Sequence, residues 1–130
     1  MEQEKTTIKD FTDLRVWQEG HELVLIIYKF TKSFPKEETY SLVDQMRRAA
    51  SSITANIAEG FGRHGYKDKI NFYYHALGSL TELRDQLLIA RDVGYLKNED
   101  FTISINKADN VNRLLHGFIA KSKTFLNKNS

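Results

Sequence analysis

The sequence predicts an all-α protein built as an antiparallel up-down four-helix bundle. Apolar residues recur every three or four positions in four long segments, the only proline is Pro35, and no segment alternates with the period of a strand. With 130 residues, 41% of them hydrophobic and 28% charged, the chain has enough apolar material for one core. We expect residues 13–126 to form this bundle domain, with tails at residues 1–12 and 127–130.

The first two helices are bounded by a capping aspartate, the single proline and a pair of glycines. The first helix is predicted over residues 13–33, with Asp13 as its N-cap, and it ends at the proline. The second is predicted over residues 40–60, where Gly60 and Gly62 are expected to end it because glycine accepts the left-handed conformation. The apolar stripe of the second helix comprises Leu42, Met46, Ala49, Ile53, Ile57 and Gly60.

The third and fourth helices show the same helical period. The third is predicted over residues 67–93, with Gly94 as its C-cap candidate. The fourth is predicted from Asn98, an N-cap candidate followed by two acidic residues that suit the positive end of the helix dipole. In the β-branched run FTISI, residues 101–105, a strand competes with the helix. Because the strand period does not continue, we assign this run to the helix.

One side of the second helix carries small residues where a solvated face usually has long charged side chains. On a helical wheel, Arg48, Ser52, Ala55 and Glu59 form a row opposite the apolar stripe. Small residues let another helix approach closely, so this small-residue row is predicted to contact a second copy of the chain. Arg48 and Glu59 would then pair across the subunit boundary. The alternative is that Ala and Ser are present only for their helix propensity.

Three polar residues lie within or beside the apolar stripes. Asn56, at the edge of the stripe of the second helix, is expected to bond a neighbouring backbone group rather than a ligand. Arg84 and Arg91 fall within the stripe of the third helix, and we expect their stems to pack while their charged heads reach water. Pairing with Glu59 or another carboxylate is the alternative for these two arginines.

Positive charge is concentrated in two parts of a chain whose net charge is only +2. Most of the charged residues in 45–67 and in 107–130 are basic, which favours a basic surface patch, although ordinary solvated helix faces would give the same pattern. The predicted nucleic-acid-binding residues, expected to cluster around the end of the second helix and the next loop, are Arg47, Arg48, Arg63, His64, Lys67 and Lys69. Tyr66, Phe72 and Tyr73 are interleaved with them and offer rings for base stacking, although core packing is the stronger expectation for Tyr73.

The composition argues against several other classes of protein. The chain contains no cysteine, which excludes disulfides and thiolate metal sites and suits a reducing cytoplasm. No apolar run is long enough to cross a membrane, and the start MEQEKTTIKD is not expected to be a signal peptide. We therefore expect a cytoplasmic protein with no membrane partner.

Residue patterns typical of catalysis and cofactor binding are weak. The four histidines are scattered over the chain, at His21, His64, His75 and His116. No HExxH or Glu-x-x-His pair occurs, so neither a metal site nor a catalytic residue is predicted. GFGRHG at residues 60–65 follows a helix and lacks the ending of a phosphate loop, so no cofactor is predicted. Arg15 and His21 have the spacing of the Arg-x4–6-His motif of HEPN-type ribonucleases, but Val16 replaces the polar residue usual there.

Three stretches of the chain resemble one bacterial protein family. They are FTDLRVWQEGHEL at residues 11–23, SLVDQMRRAASSITANIAEGFGR at 41–63 and FYYHALGSLTELRDQLLIARDVGYL at 72–96. The family comprises four-helix-bundle proteins named for their genes within intervening sequences of 23S ribosomal RNA genes, and the resemblance covers residues 11–120. NIAEGFGR is its most recognisable motif, and GSLTEL is the second. The chain departs from the family at Tyr66, where a small hydroxyl residue often opens the third helix.

The resemblance implies a four-helix protomer that assembles into a ring-like homopentamer. The chain also looks similar to the accessory protein of diversity-generating retroelements, which has the same bundle and assembly. That relative binds nucleic acid and a reverse transcriptase through a basic surface. The family name records where some genes lie, and it implies no activity, catalytic residue or cofactor.

We therefore interpret the chain as a non-enzymatic, homo-oligomeric bundle protein that acts as a scaffold for nucleic acid. Its expected partners are copies of itself, RNA or DNA, and by analogy a protein such as a reverse transcriptase. The alternatives are a purely structural or protein-interaction ring without nucleic-acid binding, and a HEPN-like ribonuclease.

Overall fold

A computed structural model describes residues 7–129, whose regular secondary structure is entirely helical and includes no strand. The four long helices are α1 (Arg15–Thr31), α2 (Asp44–Phe61), α3 (Tyr66–Asp92) and α4 (Asn98–Asn129). A 3-10 turn at Phe11–Asp13 precedes α1, and a 3-10 turn at Lys36–Glu38 and a short π-helix at Thr39–Val43 precede α2. Each helix packs against the next one, and α4 packs back against α1. The predicted all-α four-helix fold is confirmed, and FTISI lies within α4.

The structure describes part of each predicted tail. Of the N-terminal tail predicted over residues 1–12, residues 1–6 lie outside the described residues. Phe11 packs edge-on against Trp17, with ring centroids 5.4 Å apart. At the other end α4 continues past the predicted limit at residue 126 to Asn129, because Leu126 still packs against the core. Residue 130 lies outside the described part.

The first helix begins later than the sequence suggested, because its expected cap belongs to the preceding turn. Leu14, in an extended conformation with φ −75° and ψ 128°, is the residue before α1. The Asp13 carboxylate instead accepts hydrogen bonds from the backbone N–H groups of Lys9, at 2.9 Å, and Asp10, at 3.1 Å. These bonds favour the ionised carboxylate and hold the pKa of Asp13 below its usual value. The prediction of Asp13 as the N-cap of α1 was wrong.

Of the two glycines predicted to end α2, Gly62 is its C-cap, but neither glycine has the predicted conformation. Gly60 is buried inside the helix, and Gly62 has φ −79° and ψ −8°, so neither adopts the left-handed conformation. A Cβ atom placed on Gly60 would lie 2.6 Å from Cε1 of Tyr73, which shows that α2 and α3 approach closely at this residue. The C-cap of α3 is Val93 rather than the predicted Gly94, and Gly94 follows it in the left-handed conformation, with φ +88°.

The core lies between all four helices and contains the predicted apolar stripe of α2, whose members are all buried. The largest fully buried side chains include Leu23, Ile27, Met46, Ile53, Ile57, Tyr73, Leu80, Leu83, Leu87 and Leu115. The Tyr73 ring lies 4.8 Å from that of Phe118, so the expectation that Tyr73 packs in the core is confirmed. Loss of hydration raises the pKa of the Tyr73 phenol to about 12.

The raised pKa of Tyr73 predicts an alkaline loss of stability. The unfolded chain releases this proton near pH 10, whereas the folded chain keeps it to about pH 12, so the free energy of unfolding falls between these values. The shift corresponds to about 2–3 kcal/mol. Urea unfolding followed by circular dichroism, at about pH 9 and about pH 12, measures this loss. Tyr73→Phe should lose less stability over the same interval, and an equal loss in both proteins would contradict the assignment.

The three polar residues near the stripes all find partners. The Asn56 amide donates to the backbone carbonyl of Ser52 at 2.8 Å, as expected. Arg84 pairs with Asp109 at 3.3 Å, and Arg91 pairs with Asp92 at 2.8 Å. The heads of both arginines are partly exposed, as predicted, and carboxylates other than Glu59 also hold them, whereas Nε of Arg84 is buried without a hydrogen-bond partner. Each arginine therefore combines the two predicted alternatives, an exposed charged head and an ion pair with a carboxylate.

Candidate nucleic-acid interface

The structure divides the six predicted nucleic-acid-binding residues between the two ends of α2. Arg47 and Arg48 lie in the first turns of this helix, whereas the other four lie in the α2–α3 turn and the first turn of α3. The rise of an α-helix places Arg48 about 20 Å from Arg63 along the axis. The expected single cluster around the end of α2 is therefore corrected, because Arg47 and Arg48 lie apart from it.

Arg47 holds α2 against α1. Its Nε donates to Thr31 Oγ1 at 3.0 Å, and its Nη2 donates to the carbonyl of Tyr28 at 3.3 Å. The guanidinium also lies 4.6 Å above the centre of the Tyr28 ring. Because three contacts within the chain hold this guanidinium, the structure gives Arg47 a role in joining two helices.

Arg63 is fixed in the α2–α3 turn by acidic and aromatic neighbours. Its Nη2 lies 2.8 Å from Glu59 Oε2, and its Nε lies 3.7 Å from Asp68 Oδ2. The guanidinium also covers the ring of Phe72 at 4.6 Å. The side chain is still 42% exposed, so one edge of a preoriented guanidinium faces solvent.

Lys69 lies deeper in the same region, where it contacts the end of α2. Its Nζ donates to the carbonyl of Phe61 at 2.6 Å and lies 5.7 Å from the centre of the Tyr66 ring. Loss of hydration lowers the pKa of Lys69 below its usual value. His64 and Lys67 are exposed nearby, and neither forms an ion pair with a described residue. This turn therefore contains both anchored and solvent-facing basic side chains.

The bundle brings three further basic residues, missed by the residue-level predictions, next to this turn. Arg15 at the start of α1 lines a groove of about 470 Å³ together with Arg113 and Lys121 of α4. Arg15 and Lys121 also line a second groove of about 510 Å³, which Lys69 shares. The basic character of residues 107–130 pointed to α4, although Lys107 in that range is held by Glu19 and Glu22.

We call this surface the basic end of the bundle. It comprises Arg15, Arg63, His64, Lys67, Lys69, Arg113 and Lys121. These residues come from three parts of the chain, the start of α1, the α2–α3 turn with the first turn of α3, and α4. The grooves that join Arg15, Lys69, Arg113 and Lys121 have no carboxylate among their described lining residues. Such a surface attracts phosphate groups.

The small-residue row lies on the outward side of α2, with one member turned toward α3. Arg48, Ala55 and Glu59 are exposed, whereas Ser52 is half-buried. The hydroxyl oxygens of Ser52 and Ser79 lie 2.8 Å apart, so this position packs against α3 of the same chain. The exposed members have the placement that contact with a second copy requires, and that contact stays a prediction.

Both charged residues of the row pair within the chain. Arg48 Nε lies 3.0 Å from Asp44 Oδ2, and Glu59 pairs with Arg63. Exposed ion pairs of this kind contribute about 0–1 kcal/mol to stability. Replacing the partner within the chain by one on another copy therefore costs little. The predicted pairing of Arg48 with Glu59 across a subunit boundary therefore stays compatible with the fold.

The residues of the ribonuclease alternative do not share one side of α1. Arg15 and His21 are six positions apart, which places them about 120° apart around the helix. The His21 ring stacks on Trp17, with centroids 4.8 Å apart.

Within residues 7–129, no group of three or more His, Asp or Glu side chains is arranged to hold a metal ion. No described helix has the length and apolar character needed to span a bilayer.

Comparison with known proteins identifies relatives of the same fold. A family model described as 23S rRNA-intervening sequence protein matches residues 12–117. The chain is also similar to a crystal structure of a protein with unknown function from the S23 ribosomal protein family of Bacteroides thetaiotaomicron VPI-5482. The two share 26% sequence identity and superpose with a TM-score of 0.72 over 80% of this chain and 97% of the other. No curated protein matches the chain significantly.

Proposed function

The chain belongs to the 23S rRNA-intervening sequence protein family, and we propose that it is a non-enzymatic, homo-oligomeric scaffold that binds RNA or DNA. The observation that carries this proposal is the basic end, where seven basic side chains from three parts of the bundle meet. Glu59 and Asp68 lie beside them and pair with Arg63, and Glu19, which is held mainly by Lys107, also interacts electrostatically with Arg15. The remaining basic side chains of this surface therefore face solvent or the grooves with little acidic compensation.

Such a surface binds phosphate rather than reading a base sequence. Exposed lysine and arginine side chains neutralise phosphates and release counterions, which gives affinity without sequence preference. Neither the sequence nor the described fold contains a motif that places a helix or strand in a DNA groove. We therefore expect the protein to accept RNA and DNA of many sequences.

Assembly would multiply these contacts. We place the subunit contact on the small-residue row of α2, where Ala55 lets another helix approach. Three exposed apolar side chains of α3, Tyr74, Leu88 and Ile89, together with Val93 just after it, support a second contact surface. In a ring of five, as the family resemblance suggests, five basic ends would act on one nucleic acid and raise its avidity. The exposed α3 surface could also bind a protein partner, by analogy with the retroelement accessory protein.

A substitution at Ala55 tests the proposed subunit contact. Ala55→Arg places a long charged side chain on the exposed side of α2, so it should reduce the assembly to monomers or smaller species without unfolding the protomer. Multi-angle light scattering measures the mass, and circular dichroism checks the fold. Ala120→Arg, at another exposed helical alanine, is the matched control and should leave the mass unchanged. An assembled Ala55→Arg protein would contradict this interface.

Binding to labelled RNA and DNA tests the functional half of the proposal. Fluorescence anisotropy with strands of about 20 nucleotides should show saturable binding to both at low salt. Failure of the intact chain to bind either nucleic acid would overturn the proposal. Capture of a protein partner without nucleic-acid affinity would instead favour the alternative of a protein-interaction ring.

A further inference from the structure

One groove at the basic end combines aromatic walls with basic side chains. It has a volume of about 510 Å³ and lies between the start of α1, the end of α2, the first two turns of α3 and the last part of α4. Its aromatic lining residues are Phe61, Tyr66, Tyr73, Phe118 and Phe125. This aromatic groove has the volume of a typical small-ligand site, which is mostly apolar with a few polar groups that set orientation.

Two aromatic pairs form the walls, one within the core and one at the rim. Tyr73 and Phe118 pack in the core, whereas Tyr66 stacks on Phe125 with centroids 5.2 Å apart and ring planes 29° apart. Phe125 is 37% exposed, so part of its ring is accessible to solvent. The rim therefore offers an aromatic surface on which a planar ligand can stack.

Three basic side chains line the same groove. Arg15 and Lys121 are exposed, whereas Lys69 is half-buried and held by the carbonyl of Phe61. None of the described lining residues is acidic, so the groove lacks an internal counter-charge. A ligand that fits this arrangement has a flat apolar part and at least one negative group.

We propose that the aromatic groove holds one nucleotide of a single-stranded RNA or DNA, with the base against Tyr66 and Phe125 and a phosphate beside Arg15 and Lys121. This inference rests on the proposed function and adds a preference for single strands. A nucleotide supplies both the planar ring and the anion, and stacking on aromatic side chains tolerates any base. A paired base would first have to leave its stack, which opposes binding of a duplex.

Anisotropy titrations with a single strand and a duplex of equal length test this proposal. The unmodified protein should bind a labelled single strand of about 12 nucleotides more tightly than the duplex. Phe125→Ala should weaken binding of the single strand by about tenfold and leave duplex binding nearly unchanged. Phe125→Leu keeps an apolar side chain but removes the ring face, so it should show the same selective loss. Tyr40→Ala, at a 94% exposed tyrosine remote from the groove, is the control and should change neither affinity.

Each other outcome overturns the inference in a distinguishable way. If the protein bound the single strand and the duplex with equal affinity, and Phe125→Leu changed neither affinity, the groove would not be a nucleotide site. The proposed function would be unaffected by this result. Binding of a free mononucleotide such as UMP without binding of the strand would assign the groove to a small molecule instead. A Phe125→Leu protein with a smaller mass by light scattering would assign it to contact between copies. Absence of binding to any nucleic acid would remove both proposals.

Discussion

Replacing Lys67 and Lys121 together by glutamate is expected to weaken binding of RNA or DNA by at least about tenfold at moderate salt. Both side chains are exposed at the basic end, and neither pairs with a carboxylate of the described residues. The double variant loses two phosphate contacts and adds two repulsive charges. Each lost contact should also reduce the slope of log affinity against log salt by about 1. Surface changes of this kind should alter the free energy of unfolding by less than about 0.5 kcal/mol.

The matched control changes the same charges at the opposite end of the bundle. Lys32 follows α1 and Lys36 lies in the turn before α2, and both are exposed. Replacing these two lysines by glutamate should cost less than about threefold in affinity, because only the long-range field of the protein changes. If both double variants lost affinity equally, the net charge of the protein would explain binding, and the basic end would not be the binding surface.

Replacing Gly60 by alanine should lower the free energy of unfolding by about 1–3 kcal/mol. The new Cβ would lie 2.6 Å from Cε1 of Tyr73 and 2.9 Å from Cβ of Phe72. Neither atom is the free end of a flexible side chain, so α2 and α3 must move apart. The better helix propensity of alanine, worth up to about 1 kcal/mol, offsets only part of this cost. Urea unfolding followed by circular dichroism measures the difference.

Gly78→Ala is the matched control for Gly60→Ala, because it makes the same change inside a helix. No atom lies within 4 Å of a Cβ placed on Gly78, which is exposed on α3. This variant should therefore gain about 0.5–1 kcal/mol of stability from helix propensity alone. A Gly60→Ala protein as stable as Gly78→Ala would mean that the two helices do not meet closely at Gly60.

The architecture could be predicted because the apolar period of each helix matches its buried side. Met46, Ile53 and Ile57 recur at helical spacing, and all three are buried. In α3, Leu80 and Leu83 follow the same rule. The end of α3 could also be predicted from Gly94, because the chain adopts positive φ there and glycine does so without strain. The order of the residues alone therefore predicts which side of each helix is buried.

The helix ends were harder to predict because competing partners for the same residue are not visible in the sequence. Asp13 suits an N-cap, but the backbone N–H groups of Lys9 and Asp10 hold its carboxylate instead. Gly60 suits a helix stop, but its lack of a side chain serves the contact with Tyr73. In both cases the residue type is compatible with two structural roles, and the packing of the whole bundle determines which role it has.

The candidate site was predicted only where it is local in sequence. Arg63, His64, Lys67 and Lys69 lie close together in the chain and remain together in the structure. The contributions of α1 and α4 to the basic end depend on three helix ends meeting in space. Periodicity alone does not assign individual side chains to that meeting point.

The dependence of nucleic-acid affinity on salt is the most direct test of the claim that the basic end binds phosphate. The unmodified protein should lose affinity for a labelled RNA strand by at least about tenfold when salt rises from about 50 mM to about 200 mM. A linear fall of log affinity with log salt would support release of counterions from several phosphates. Binding that is unchanged over this range, or that is absent at the lower salt, would contradict the account.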